Sequence, residues 1–226
     1  KEILMCNYFS IGWDAQVARR FHCLREKKPH LFKNRHTNKG WYAYFSIAHL
    51  TGNFDCSKGG MSLEVDGKEM KIPKGCVSFN ILNIPSYSGG TNLWGLSAQP
   101  GFTPQKTDDG KLEVVGYSGA IHMLGIRGGF RKSFRIAQGS NIVVKTKAQS
   151  AGGPNPARGI CCQVDGEPYV VDHKGFHEDA SYELTPGAPA SANIDLTVTI
   201  THHAVSTLVM APSGGGGCCV KPKMAD

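Results

Sequence analysis

The stretch Cys162–Tyr169 reads CQVDGEPY. Apolar positions alternate into Asp165-Gly166-Glu167, and Pro168 is expected to stop the strand, since proline cannot donate to a sheet ladder. The chain carries its own comparison: Leu63–Met70 reads LEVDGKEM, again Val-Asp-Gly after an alternating run. An Asp-Gly pair between such runs predicts a two-residue hairpin, because a type I′ turn needs positive φ at both central residues. Two hairpins of this kind point to antiparallel β structure. They leave one question open. Asp165 and Glu167 are either turn residues or a carboxylate pair at the mouth of a site, and Val-Asp-Gly, occurring twice, does not decide it.

Outward from these turns, the chain reads mostly as short strands with turn signals between them. Ile3–Ile11, Val77–Pro85, Lys111–Gly116, Asn141–Lys147, Ile160–Val164 and Ile194–Thr201 are strands, and Met61–Lys71 is a hairpin about Asp66-Gly67. Lys68 and Glu69 make that second turn look ordinary and solvated. Asp14 opens a helix to about Lys27: Val17, Ala18, Phe21 and Leu24 form its apolar stripe, and Arg25, Lys27 and Lys28 suit its C-terminal end. Trp41–His49 (WYAYFSIAH) is strand-like or a buried helix, and periodicity does not separate the two. Ile121–Gln138 suggests broken helical turns with a basic outer face, Ser86–Gly95 (SYSGGTNLWG) a glycine-rich loop, and Ser206–Met210 a further strand. The fold class is therefore mainly β (α+β), an antiparallel β-sandwich with one N-terminal helix and short helices in the connections. Gln149–Gly159 and Asp172–Asn193 read as surface insertions. Residues 1–212 are expected to form one domain, and residues 213–226, with Gly214–Gly217, a flexible tail.

The 226 residues suffice to bury a core without staples. No run of about 18 apolar residues occurs, so no membrane-spanning helix is expected. No secretion signal opens the chain. Its first residues, KEILMCNYF, are strand-like and lack an initiator Met, so further sequence is expected upstream. The eight cysteines include two adjacent pairs, Cys161-Cys162 and Cys218-Cys219, and no Cys-x-x-Cys. Reduced thiols in the cytosol follow. His173-x-x-x-His177 and His202-His203 lack the paired cysteines that would make a zinc site.

The net charge is +7, and its location is informative. Arg19, Arg20, Arg25, Lys27, Lys28, Lys33, Arg35 and Lys39 stand against Glu26 alone, while charges elsewhere cancel. This segment is either a solvated basic face or a contact for phosphates, on lipid head groups or a nucleotide. Nucleic acid is not expected as a partner, because Phe21, Phe32 and Trp41 form no known stacking arrangement.

Five segments then fall into a familiar order: NYFSIGWDAQVARRF from Asn7, NIPSYSGGTNLWG from Asn83, DDGKLEVVGYSGAIHM from Asp108, QVDGEPY from Gln163 and TVTITHHAVSTLVMAP from Thr197. Together they resemble the diacylglycerol kinase accessory domain from Asn7 to Pro212. Tyr169 departs from the Trp usual there, and Asp172–Asn193 is longer than the family pattern. The family's phosphate-gripping Gly-Gly-Asp-Gly-Thr motif, which belongs to an upstream α/β lobe, is absent from this chain.

The resemblance implies the C-terminal lobe of a kinase that moves the γ-phosphate of ATP onto diacylglycerol, giving phosphatidic acid. It implies ATP and Mg2+ as cofactors, diacylglycerol at a membrane surface and the upstream ATP-binding lobe as partners, and a cytoplasmic protein peripheral on membranes. The isolated chain is expected to be inactive. A basic lipid-surface module without catalysis, or a sphingosine or ceramide kinase lobe, are the alternatives. By the same resemblance Asp165 is the general base, although some relatives place the base on the upstream lobe. Glu167 supports Asp165 or reaches the magnesium or nucleotide, and Gly166 lets the backbone turn closely. Gly89 and Gly90 allow close approach to a ligand, with Asn92 as a polar hand, or they form a plain loop. Asp14 either contacts substrate or caps its helix. Asp109, with carbonyls of Lys106 and Lys111, either holds a structural magnesium or makes an Asx-type turn.

Overall fold

The computed structural model describes residues 3–48, 55–57, 60–147, 160–172, 175–178 and 195–202. Within them, one seven-stranded antiparallel sheet packs on a four-stranded one. The larger sheet contains β1 (Tyr8–Gly12), β4 (Ser78–Leu82), β5 (Leu112–Tyr117), β6 (Phe134–Gly139), β8 (Ile160–Val164), β9 (Glu167–Asp172) and β10 (Gly175–His177), in the order β10-β9-β8-β1-β4-β5-β6. The smaller runs β11-β7-β2-β3, from β2 (Met61–Val65), β3 (Lys68–Met70), β7 (Asn141–Lys147) and β11 (Asp195–Thr201). The chain crosses between sheets at Ser140, between β6 and β7.

Side-chain alternation separates the two faces of the larger sheet. Phe9, Ile11, Phe79, Ile81, Val114 and Cys162 point toward Leu63, Val65, Ile142 and Val144 of the smaller sheet and make the sandwich core. Tyr8, Ser10, Leu82, Asn80, Val115, Tyr117 and Gln163 share the other face by register. That face is covered by α1 (Trp13–Lys27), by α3 (Ala120–Arg127) and by the loop with Tyr87, Leu93 and Trp94. One wall of the sheet is thus dry and apolar, and the other carries polar groups under helices.

Some expectations need correction. Pro168 does not stop a strand; it lies inside β9, paired with Gln163. Val164 and Glu167 flank the turn as the bonded pair, so Gln163 and Pro168 form the next, non-bonded pair, where a strand donor points away from its partner. Beyond it, β10 reaches only Val170–Asp172, so the missing N–H faces no ladder. Within the run read as Trp41–His49, residues 41–48 are helical: α2 (Arg35–Ala48) starts at Asn34, whose Oδ1 accepts from the N–H of His36 at 2.9 Å and of Thr37 at 3.0 Å. Ile121–Gln138 is one helix and then β6. Gly129, at φ +76, ends the helical path, and the residues after it extend. β10 falls within the segment read as an insertion; Gln149–Gly159, Ser206–Met210 and the tail lie outside the described residues.

Candidate functional site

The strongest concentration of polar groups lies where β1 runs into α1. Gly12, at φ +107, turns the chain sharply there, and Asp14 falls in the first turn of the helix, where the helix dipole favours a carboxylate. Asp14 is 3% exposed. Its Oδ2 accepts from Ser10 Oγ at 2.9 Å and from Gln163 Nε2. Gln163 Nε2 also donates to Ser10 Oγ at 2.7 Å. The Tyr42 hydroxyl, from α2, approaches Oδ1 at 3.4 Å, and Tyr87 hydrogen-bonds to the same carboxylate.

Among the described residues, the side chains that hydrogen-bond Asp14 are all neutral donors. Burial pushes its carboxyl above the usual range, and hydrogen bonds from Tyr87, Ser10, Tyr42 and Gln163 pull it partly back. Burial, followed by the Asp14 charge, holds the hydroxyls of Tyr8, Tyr42, Tyr87 and Tyr117 protonated well beyond the ordinary tyrosine range. The result is one carboxylate surrounded by fixed O–H and N–H donors, in a cluster able to accept a proton or orient a hydroxyl. Asp14 was the one member foreseen. Gln163 had a signal, a lone amide in the buried run ICCQV; Tyr42 had none while its segment could be strand or helix.

Asp165 is placed otherwise. Asp165 and Gly166, at φ +52 and +92, form the hairpin turn. The Asp165 carboxylate accepts from the backbone N–H of Cys6 at 2.7 Å, Asn7 at 2.7 Å and Tyr8 at 2.9 Å. Its own N–H donates to the Tyr8 carbonyl at 2.9 Å. Asp165 therefore fastens the start of β1 to the hairpin. Asp66, at φ +48 beside Gly67 at +79, repeats the arrangement. It accepts from Ser140 N at 3.0 Å and Asn141 N at 2.8 Å, and its N–H donates to the Asn141 carbonyl. The LEVDGKEM turn is thus not merely solvated. It pins the corner where the chain changes sheets, and a Cβ at Gly139 would collide with Asp66 and Val65. Glu167 does not join Asp165 in a carboxylate pair. Its side chain is 70% exposed and stands 3.8 Å from His22 Nδ1 of α1. Burial lowers the His22 pKa, so this contact carries little charge pairing at neutral pH.

In the glycine-rich loop, Ser88, Gly89 and Gly90 all have positive φ, between Tyr87 and Thr91, which bond each other at 2.9 Å in both directions. Open space lies where side chains would project from Gly89 and Gly90. Asn92 Oδ1 accepts from Gly95 N at 2.7 Å, closing the next turn.

Asp109 makes an Asx-type turn, accepting from Lys111 N at 3.1 Å, and Lys106 is exposed just before it. Beside it Glu113 is 0% exposed. Gln138 donates to its Oε1 at 3.1 Å, and its buried Oε2 has no partner within bonding distance. Burial, with a smaller contribution from Asp109, raises the Glu113 carboxyl from 4.5 to about 7. Because the folded value exceeds the unfolded one, stability from this group is complete below pH 4.5 and is lost as pH rises through 7. In chelator-treated buffer Glu113→Gln is expected to become the more stable form, its advantage over wild type growing by about 2 kcal/mol between pH 5 and pH 8. Melts at both pH values check this; parallel profiles would mean that Glu113 titrates normally.

Comparison with known proteins gives a consistent result. The diacylglycerol kinase accessory domain family matches residues 4–168. Human diacylglycerol kinase theta is 37% identical over 171 residues, covering 75% of this chain and 17% of the relative. Diacylglycerol kinase 2 of Arabidopsis thaliana is 36% identical over 170 residues, covering 74% of this chain and 22% of the relative. Probable diacylglycerol kinase 3 of Caenorhabditis elegans is 33% identical over 186 residues, covering 73% and 22%. The chain thus spans about a fifth of the length of these relatives. No solved structure matches it.

Proposed function

The chain belongs to the diacylglycerol kinase accessory domain family, and from that premise we propose that it is one wall of a two-lobed lipid kinase. The parent moves the γ-phosphate of ATP onto the primary hydroxyl of diacylglycerol, and the nucleotide-binding lobe lies upstream. The observation that supports this reading is the buried carboxylate of Asp14 among protonated hydroxyls. Transfer to an alcohol needs a group that orients the hydroxyl and takes its proton, and a carboxyl raised above its usual range does so more readily near neutral pH. Tyr42 closes the cluster from α2 through a long contact of 3.4 Å, so it is the part that yields when a lipid hydroxyl enters. Asp165 remains the base implied by resemblance, with its oxygens already engaged by three backbone donors. Glu167, exposed beside the turn, is free to face the upstream lobe. Gly89, Gly90 and Gly166 offer backbone for close approach.

The turn at Asp109 suits a hard cation in its chemistry: one carboxylate, main-chain carbonyls of Lys106 and Lys111, and the unpartnered Glu113 Oε2 nearby. Among the described residues no three His, Cys, Asp or Glu converge on one point, so carbonyls and water would complete the shell. A magnesium ion there would neutralise the two carboxylates, and its addition is expected to flatten the pH profile of Glu113.

Activity decides the reading. The full-length protein is expected to phosphorylate diacylglycerol in mixed micelles with Mg-ATP, and sphingosine or ceramide poorly; the reverse preference would assign it to the other lipid kinases. A second reading, a basic lipid-surface module, is favoured by the exposure of Arg25, Lys27, Lys28, Lys33, Arg35 and Lys39. Among the described residues no helix is long and apolar enough to cross a membrane; a peripheral place on cytoplasmic membranes fits both readings.

A further inference from the structure

On the helix-covered face of the larger sheet, a second concave feature opens at the β6 edge. Register places Arg135 opposite Val115, Val115 opposite Asn80, and Asn80 opposite Ser10. Three strand spacings, roughly 14 Å, therefore separate it from the Asp14 cluster. A bulge between β5 and β6 aims Arg135 to this face. Its guanidinium lies 4.8 Å over the Trp94 ring, with Nε donating to the Trp94 carbonyl at 2.7 Å. Around it is a cleft of about 370 Å³ whose lining includes Arg131, Lys132, Arg135, Trp94 and Leu96 and has no acidic residue. The segments that build it, Ser86–Thr107 and Ser118–Gln138, contain no Asp or Glu at all.

The rim is apolar where water should discourage it. Leu96 is 95% exposed and Phe130 90%, and Ile121 and Leu124, three residues apart on the outer side of α3, are 66% and 62% exposed. Single exposed apolar side chains are commonplace; Leu96 in the lining of a cation-bearing cleft and Phe130 next to Arg131 in the chain, with a further apolar pair on α3, are the composition of a surface that meets an interface. Phosphate is the anion such a cleft fits, and hydrocarbon is what the rim fits.

We propose that this face docks on a membrane bearing anionic phospholipid: the cleft takes a phosphate head group, and Leu96 and Phe130 enter the acyl boundary. The inference goes beyond the kinase reading and does not require it. The test uses the full-length protein and flotation on phosphatidylcholine vesicles with and without phosphatidic acid. Wild type is expected to bind the anionic vesicles and to release with salt. Arg131→Gln with Lys132→Gln is expected to weaken binding roughly thirtyfold, and Leu96→Ser with Phe130→Ser at least about tenfold. Transfer to diacylglycerol in neutral detergent micelles should be unchanged in both, so a failure here is distinct from a failure of the kinase reading.

Wild-type vesicle affinity in both variants would overturn the proposal. So would a lowered melting temperature in the Leu96/Phe130 variant, which would mark a face covered by another part of the polypeptide. In the soluble arm, glycerol phosphate is titrated against Trp94 fluorescence. Binding as tight as to vesicles, lost on Arg131/Lys132 substitution but indifferent to Leu96 and Phe130, would assign the cleft to a soluble phosphate instead.

Discussion

Replacing Asp14 by asparagine is expected to cost phosphate transfer at least about a hundredfold while leaving the melting temperature unchanged or higher. Both effects come from the same burial. The carboxylate is 3% exposed and, among the described residues, is hydrogen-bonded by neutral donors, so its ionised form loses hydration without gaining a counter-charge from them. Its folded pKa is raised above 3.8. The associated stability is complete below that value and is lost as pH rises through the folded one. Asparagine is the same shape and uncharged, so the loss at neutral pH disappears with it. Its side-chain oxygen can still accept from the Tyr42 hydroxyl, and the new amide nitrogen, in place of Oδ2, can donate to Ser10 Oγ and to Gln163 once Gln163 turns its own oxygen inward. What asparagine cannot do is accept a proton. Transfer rate and melting temperature measured on one preparation check the pair of expectations. A wild-type rate would remove Asp14 from the chemistry, and a depressed melting temperature would make its charge structural.

The second large effect is on folding. Asp165→Ala is expected to destabilise the domain by about 3 kcal/mol, roughly 6–12 °C in melting temperature for a chain of this size. Three backbone N–H groups at the start of β1 lose a charged acceptor. Asp66→Ala should cost a similar amount, because the backbone donors of Ser140 and Asn141 and the Ser140 hydroxyl depend on it. Asp165→Asn separates fastening from catalysis. It keeps one acceptor oxygen, so about half the destabilisation is expected, and below the melting range its activity should track the folded fraction. A fully folded but inactive Asp165→Asn protein would favour Asp165 as the general base.

Much of the sandwich could be read from the chain, because a period of two is local information. The two Asp-Gly turns and the runs NIVVKTK and DLTVTIT lie where alternation put them. What escaped depended on register. Whether a proline interrupts a strand turns on which pair of a ladder it occupies, and Pro168 occupies a pair that needs no donor. The site escaped for the same reason. Asp14, Ser10, Gln163, Tyr42 and Tyr87 come from positions up to 153 residues apart, and only the pairing of β8 with β1 brings Gln163 to Ser10. Asp165 drew attention because its motif is contiguous, and a contiguous motif is also what a turn requires.

The central position of β1 has a consequence for synthesis. The strand nearest the start of the chain is flanked by β4 and β8, so one of its edges waits for Ile160–Val164 to leave the ribosome. Until then an apolar ribbon, Phe9 and Ile11 on one side, lies half-paired, with the fastening aspartate not yet made. Pairing over such sequence separations is slow and exposes strand edges to other nascent chains. The domain is therefore expected to acquire its larger sheet late and nearly at once, and stalled or truncated products ending before Asp165 should be the forms that chaperones retain.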